Sequence, residues 1–437
     1  MKNILLALLV IFVSTYITNA QGVSADSIDL TRAIELTLQN HPSIKQAAGL
    51  IGTAEARIKQ QNTSYQPEVE ADASFMRIGP VATFDLPGGV SAKLYPENNY
   101  DAHVSGRYLL YDFGQRDAAR NLTASYKLSA QDNLEVVKTN LAYQTVQAFY
   151  SLLFLKQSLV VKDQQIADLN SHLQVTQAKV SSGSATDFDV STTEVRVSSA
   201  QNQRTEIQNE ISKQEIILKS LTGLPHNALL NVTGSFNYMP DNVNADSLIN
   251  VAINQRSEIK LARDLQNTAD KQKTVARMSD KPTVSLSAQY GLKNGYIPNL
   301  DVLRGNWIAG VLFRYPVYNG DRSRYLEEEA EANLQSSLAH TSDVDLGIRA
   351  EVSRAISDIN AARQQLETVK IQVTHAQRAL KRAELQYRDG VISNLDLLDA
   401  QTGITEARLS ELQIIYKNIM SRYLLQRAAG DKLWKIQ

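Results

Sequence analysis

The chain of 437 residues has no cysteine, 20 glycines and 10 prolines, and only 7% of it is aromatic. The absence of cysteine excludes a disulfide framework, a thiolate zinc site and a lipidated N-terminal cysteine. So few glycines and prolines disfavour an all-β sandwich or a disordered chain and point to long helices. No sign of charge dominates: 45 Lys+Arg stand against 46 Asp+Glu, and a net charge of −1 leaves no electrostatic footprint for nucleic acid. The six histidines are scattered. None sits in an HExxH or i,i+4 pair, and no Walker A, GxSxG or GxGxxG motif occurs, so neither an enzyme nor a metal or cofactor site is expected. Long apolar runs are also missing. The longest, Ile4–Val13, is far short of the ~20 residues that span a bilayer.

That run has a different use. Lys2 precedes it, and Thr18-Asn19-Ala20 closes it before Gln21. A charged start, a short apolar centre and a small residue at the end mark residues 1–20 as a secretory signal peptide, so the mature chain is expected to start at Gln21 and to work outside the cytoplasm. Any insertion into a membrane must then use β-strands, whose signal is alternation.

Length alone suggests two or three domains, but the chain is written twice. Tyr65-Gln66-Pro67 aligns with Asp280-Lys281-Pro282 at an offset of 215. Gly183 aligns with Gly390, and Leu221-Thr222-Gly223 with Ala428-Ala429-Gly430, at an offset of 207. The expected copies are residues 21–244 and 245–437. Each has a moderately helical opening, two short alternating segments and then a very long helical stretch. From Gln115 to Ser182 there is neither Gly nor Pro in 68 residues, enough for a rod of roughly 100 Å. A glycine, Gly183 or Gly390, then marks a turn before a second helix. Apolar residues recur along these helices at mixed spacings and with many Ala, Ser and Val. That favours a curved wall of helices with a polar inner face over a strict two-stranded zipper.

The alternating segments, at about 66–76, 100–111, 281–291 and 306–317, read as strands. Val69, Ala71, Ala73 and Phe75 alternate with Glu68, Glu70, Asp72 and Ser74, while Trp307, Ala309, Val311, Phe313 and Tyr315 share one face. About ten residues is the length of a tilted transmembrane stave, and aromatics lie near the stave ends as in an interfacial girdle. Four staves cannot close a barrel, and open edges are not tolerated in lipid, so the barrel must be shared between protomers.

With these elements in place, the segment Tyr387-Arg388-Asp389-Gly390-Val391-Ile392-Ser393-Asn394-Leu395-Asp396-Leu397-Leu398-Asp399-Ala400-Gln401 resembles the second helix-turn-helix tip of the TolC-like family of outer-membrane efflux proteins. Val180–Val190 is its first-copy counterpart, and Asn40-His41-Pro42-Ser43-Ile44 resembles the family's opening helix. The resemblance implies a mainly α protein with β. Long helical hairpins and four transmembrane strands per protomer would assemble into a homotrimer with a twelve-stranded β-barrel on a twelve-helix periplasmic tunnel. It also implies an exit duct in the outer membrane, in contact with its lipid and coupled through a periplasmic adaptor protein to an inner-membrane pump of RND or ABC type. The expected cargo is small molecules.

The resemblance also assigns residues. Asp396 and Asp399 are three apart on one helix face and would form stacked carboxylate rings at the periplasmic gate; simple stabilisation of a helix N-terminus would also account for them. Tyr387 and Asp189 match a closing hydrogen bond. Ile392 and Phe188 stand where the family's usual pattern has Arg and Thr, so closure here would lean on their packing. Val180, Gly183, Ser184, Gly390, Val391 and Ser393 are the expected adaptor-docking tips. Glu68, Glu70 and Asp72, with Arg107, would face the barrel lumen, and an acidic wall would give mild cation selectivity. Two other readings compete: the outer component of type I protein secretion, and a secreted, elongated coiled-coil structural or adhesion protein.

Overall fold

In the computed structural model the described residues are 27–238 and 245–435. The expected signal peptide, 1–20, lies outside them. The chain runs β1 (Ser27–Ile28), α1 (Leu30–Asn40), α2 (Pro42–Thr63), β2 (Glu68–Arg77), β3 (Thr83–Leu86), β4 (Val90–Lys93), β5 (Asn98–Tyr111), α3 (Gln115–Ser181), α4 (Asp187–Thr222) and β6 (Asn231–Val232). It continues as α5 (Ala245–Gln255), α6 (Ser257–Met278), β7 (Thr283–Lys293), β8 (Arg304–Arg314), α7 (Arg322–Arg388) and α8 (Asn394–Ala429), ending in a 3₁₀ turn at Leu433–Lys435.

The duplication is visible in the helix lengths. The pairs α1/α5, α2/α6, α3/α7 and α4/α8 have 11, 22, 67 and 36 residues in both copies. Pro42 occupies the first turn of α2, where its missing N–H costs nothing, and the His41 ring accepts the Ser43 amide hydrogen. Among the described residues no helix is long and apolar enough to cross a membrane.

The chain divides into two compact units. The tip unit comprises residues up to Thr37, Gln144–Tyr238 and Gln365–Tyr416. Its core includes Leu169, Val197, Ala200 and Leu398, drawn from α3, α4 and α8. β1 and β6 pair in parallel within it. Small buried residues such as Ala142, Ala355, Ala362 and Ala407 explain the mixed apolar spacings along the long helices, because alanines let helix backbones approach closely where leucines would hold them apart.

The strand unit comprises Leu38–Tyr143, Met239–Gln364 and Lys417–Gln437. It holds an apolar cluster around Ile259, Val352, Ala355 and Leu425. Beside this cluster the buried Arg256 guanidinium is satisfied by Glu258 and Glu351. The strand unit also holds an all-antiparallel sheet with the order β2-β5-β7-β8. The long segment between β2 and β5 folds part of its length into the small antiparallel hairpin β3–β4. Gly88 and Gly89, both with positive φ, form its turn.

Candidate functional site

Register decides what the sheet can do. Phe75 lies opposite Tyr100; Val104, Tyr290 and Trp307 form one row; Tyr108, Leu286 and Val311 form another. These side chains share one face, and it is bare: Val69, Tyr290, Trp307 and Val311 are each about two-thirds exposed or more, at 67, 68, 74 and 66%. A bare apolar face of strands about ten residues long, with aromatics along it, is built to meet lipid.

The opposite face is polar and lines hollows of about 630 and 300 Å³. Here the expectation of an acidic wall fails. Glu68 lies opposite Arg107, and Asp72 lies opposite His103, whose ring sits 3.8 Å from Asp72 and 3.1 Å from Asp101. Further along the same face come Lys293, 3.8 Å from Asp101, then Arg304 and Arg314. Glu68, Glu70, Asp72 and Asp101 are thus matched in number by Arg107, Lys293, Arg304 and Arg314. The acidic reading weighs β2 against Arg107 alone; Lys293, Arg304 and Arg314 lie on strands remote in sequence.

The helix-turn-helix ends of the tip unit repeat the same chemistry. α3 ends in a reverse turn in which Ser184 N–H donates to the Lys179 carbonyl (2.8 Å) and Gly183 N–H to that of Val180 (2.9 Å). α7 ends with Val391 donating to Gln386 (2.8 Å) and Gly390 to Tyr387 (3.2 Å). Both glycines sit at φ near +75°, a conformation that only glycine adopts cheaply. Gly183, Ser184, Gly390, Val391 and Ser393 are exposed there, whereas Val180 is half-buried.

The helices that follow begin with reciprocal capping boxes. The Asp189 carboxylate accepts from Thr186 N (2.9 Å) and Oγ1 (2.8 Å), and that of Asp396 accepts from Ser393 N (3.0 Å) and Oγ (2.6 Å). The two bonds from Ser393 hold Asp396 below the usual carboxylate range. Asp399 is exposed and pairs with Arg196 at 3.4 Å. Within the protomer Asp396 therefore serves as a helix cap, the plainer of the two roles open to it.

The expected bond between Tyr387 and Asp189 does not form within the protomer. Asp189 is engaged in its cap, and the buried Tyr387 hydroxyl lies 3.3 Å from Thr176 Oγ1. Lys179 Nζ lies 4.2 Å from the Tyr387 ring centroid and donates to the Tyr387 carbonyl at 2.6 Å. The His172 ring meets the Tyr387 ring edge-on at 4.9 Å. Ile392 packs with Tyr387, Ala383 and Leu397, whereas Phe188 is 74% exposed.

The residue at the centre of this contact was missed by sequence reasoning. Asn394 is buried. Its Oδ1 accepts from His172 Nε2 (2.6 Å), and its Nδ2 reaches the Asp189 carbonyl (3.1 Å) and the Thr192 and Thr193 hydroxyls (both 3.2 Å). One amide thus joins α8 to α3 and α4. Burial pushes the His172 ring below the ordinary imidazole value, while the bond to Asn394 acts the other way.

The sequence profile described as "Outer membrane efflux protein" matches residues 33–224 and 248–431. The chain belongs to the outer membrane efflux protein family. It is 23% identical over 407 residues to the "Pyoverdine export outer membrane protein OpmQ" of Pseudomonas putida, covering 92% of this chain and 86% of that one. It is 22% identical over 426 residues to "Outer membrane protein TolC" of Escherichia coli, covering 91% and 85%. In structure it is similar to the Campylobacter jejuni CmeC outer membrane channel, with TM-score 0.81 and 18% identity over 92% of this chain and 85% of that one. The TolC-like fold expected from the tip motif is the fold observed. As an outer membrane efflux protein, the chain is the outer-membrane component of an efflux system.

A closer reading of the repeat could have flagged Asn394. At the 207-residue offset it replaces Asp187, and Tyr387 replaces Val180. An amide and an aromatic in place of a carboxylate and an aliphatic residue, both within one turn of the tip, mark the second hairpin as the one with internal polar partners.

Proposed function

We propose that three copies of the chain close one β-barrel in the outer membrane, and that the assembly is the passive exit duct of a tripartite pump. The observation that carries this is the four-stranded sheet with a bare apolar face, a polar hollow face and two unpaired edges. Such a sheet is untenable in lipid until other strands cover its edges. Three such sheets supply twelve staves. The helices below would form the periplasmic tunnel, and the exposed turns around Gly183 and Gly390 would dock a periplasmic adaptor linked to an inner-membrane pump. Asp396 and Asp399 would ring the periplasmic aperture. Small-molecule cargo is supported by OpmQ, a relative named for pyoverdine export. Extraction tests the reading directly. A heat-sensitive trimer recovered from outer membranes with detergent, which conducts ions in planar bilayers, is the expected result; a freely soluble monomer would overturn it.

A further inference from the structure

The two free edges of the sheet differ in charge. On the polar face, β2 carries Glu68, Glu70 and Asp72, whereas β8 carries Arg304 and Arg314 and no acid. Of the inner strands, β5 carries both signs and β7 a single cation, Lys293. Every residue of β2 is exposed, and most of β8 is too. At the end of the sheet where β2 starts and β8 finishes, two of these charges have no opposite charge across the ladder: Glu70 lies opposite Ser105, and Arg314 lies opposite Thr283. Neither pairs with any described residue of its own chain.

The strand directions bring these two groups together on closure. β2 and β8 run antiparallel through the order β2-β5-β7-β8, so in a ring of copies the start of β2 meets the end of β8. Glu68 is the first residue of β2 and Arg314 is the last of β8. Glu68 and Arg314 also line the same 630 Å³ hollow on the polar face. Long side chains on facing or diagonal positions of neighbouring strands reach one another.

Resting on the trimeric barrel proposed above, we propose that the protomer seam is a charge-matched strand pair, in which Arg314 of one copy meets Glu70 and Glu68 of the next. This pairing fixes the register in which the barrel closes. A one-residue slip would turn the apolar face of one strand into the water-filled hollow. Opposite charges at the helical end of the seam favour the correct register, and like charges placed there oppose closure.

The natural absence of cysteine makes the test direct. Oxidation of the full-length Glu70→Cys, Arg314→Cys double variant in outer membranes is expected to give covalent dimers and trimers on non-reducing gels, with neither single variant doing so. Arg314→Glu alone, and Glu68→Lys with Glu70→Lys, should each lower the heat-sensitive trimer roughly tenfold or more. Combining all three substitutions should restore it, which separates charge matching from misfolding. Full trimer yield in both partial reversals, or no recovery in the combination, would overturn the seam while leaving the barrel standing. Failure of the cysteine pair to cross-link in trimers would do the same. A wild-type chain that is monomeric in detergent would instead overturn the shared barrel itself.

Discussion

The two helix-turn-helix tips are the same device built twice, and the residues that differ between them show which parts are scaffold and which are joint. Both have a glycine near φ +75°. Both use a hydroxyl residue and an aspartate three positions later to cap the next helix. The first tip then presents Asp187 and Phe188 as exposed residues. The second turns the corresponding Asn394 inward, and Tyr387 is buried where the first copy has half-buried Val180. Turn chemistry is therefore common to both tips, while the contact between the hairpins is made by residues the two copies do not share: Tyr387 and Asn394 on one side, His172, Thr176 and Lys179 on the other. Repetition supplies the fold, and departures from repetition supply the joint between the hairpins.

The sharpest way to break this asymmetry is Asn394→Ala. It removes the acceptor of His172 in a buried setting and cuts the tie from α8 to the start of α4, while the Asp189 carbonyl keeps the Thr192 and Thr193 hydroxyls, so the second tip should lose about 2 kcal/mol of local stability. Hydrogen exchange of tip amides would show it as faster opening of the starts of α4 and α8. Asp187→Ala, at the corresponding exposed position, should leave exchange unchanged. Equal effects at the two positions would mean that Asn394 is no joint.

The next effect depends on pH and also belongs to the second contact alone. Because burial lowers the His172 value, the neutral ring is the form that the packed tip favours. Its contribution is full above the unperturbed value of about 6.5 and is lost as pH falls through the depressed folded value. Charge would arise facing Lys179 on α3, with Asp189 on α4 as the acid that acts on the ring and Tyr387 on α7 as the other titratable neighbour. Tip exchange in the wild type should therefore accelerate as pH falls from 7.5 to 5, relative to a His172→Gln protein measured at each pH. Parallel profiles would show that His172 titrates without consequence for the contact.

A smaller effect is expected from Tyr387→Phe, which keeps the ring against His172 and Lys179 and removes only the hydroxyl contact to Thr176. About 1 kcal/mol should be lost, again at the second tip. Thr176→Val also removes the bond from Thr176 Oγ1 to the His172 carbonyl (3.0 Å) and should cost somewhat more, and the double variant should cost little more than Thr176→Val alone, because the bond to Tyr387 is already lost there. Additive losses would show that the hydroxyls do not act on one another.

Much of this molecule is legible in the sequence because its signals are local or periodic. The glycine-free stretch after Gln115, the period-two alternation at 68–75 and the 207-residue offset each need only a window or a self-comparison. They lead to α3, β2 and the duplicated hairpins. What stayed hidden depends on pairing between distant segments. Arg107 is expected on the face of Glu68, but nothing near either residue announces that Lys293, Arg304 and Arg314 will share it. Nothing near Tyr387 announces that Thr176, 211 residues away, will take its hydroxyl. The aspartates show both kinds of signal. The pattern Ser393-x-x-Asp396 is a local cap signal, and its plain reading was correct within the protomer, whereas Asp399 is drawn to Arg196 by tertiary contact.

The smallest predicted effect concerns what the two tips share. Thr186→Ala and Ser393→Ala each remove the hydroxyl half of a capping box and leave the aspartate half in place. Each should cost about 1 kcal/mol, confined to the first turn of α4 or α8. Equality is the informative feature. The two caps use the same atoms at comparable lengths, with Asp189 N to Thr186 Oγ1 and Asp396 N to Ser393 Oγ both at 3.3 Å. If the duplicated turns are interchangeable scaffold, hydrogen exchange should report the same increase in opening at both helix starts. A markedly larger effect at Ser393 would mean that the cap and the Asn394 contact, one residue apart, act as a single unit. The second tip's specialisation would then reach into the turn itself.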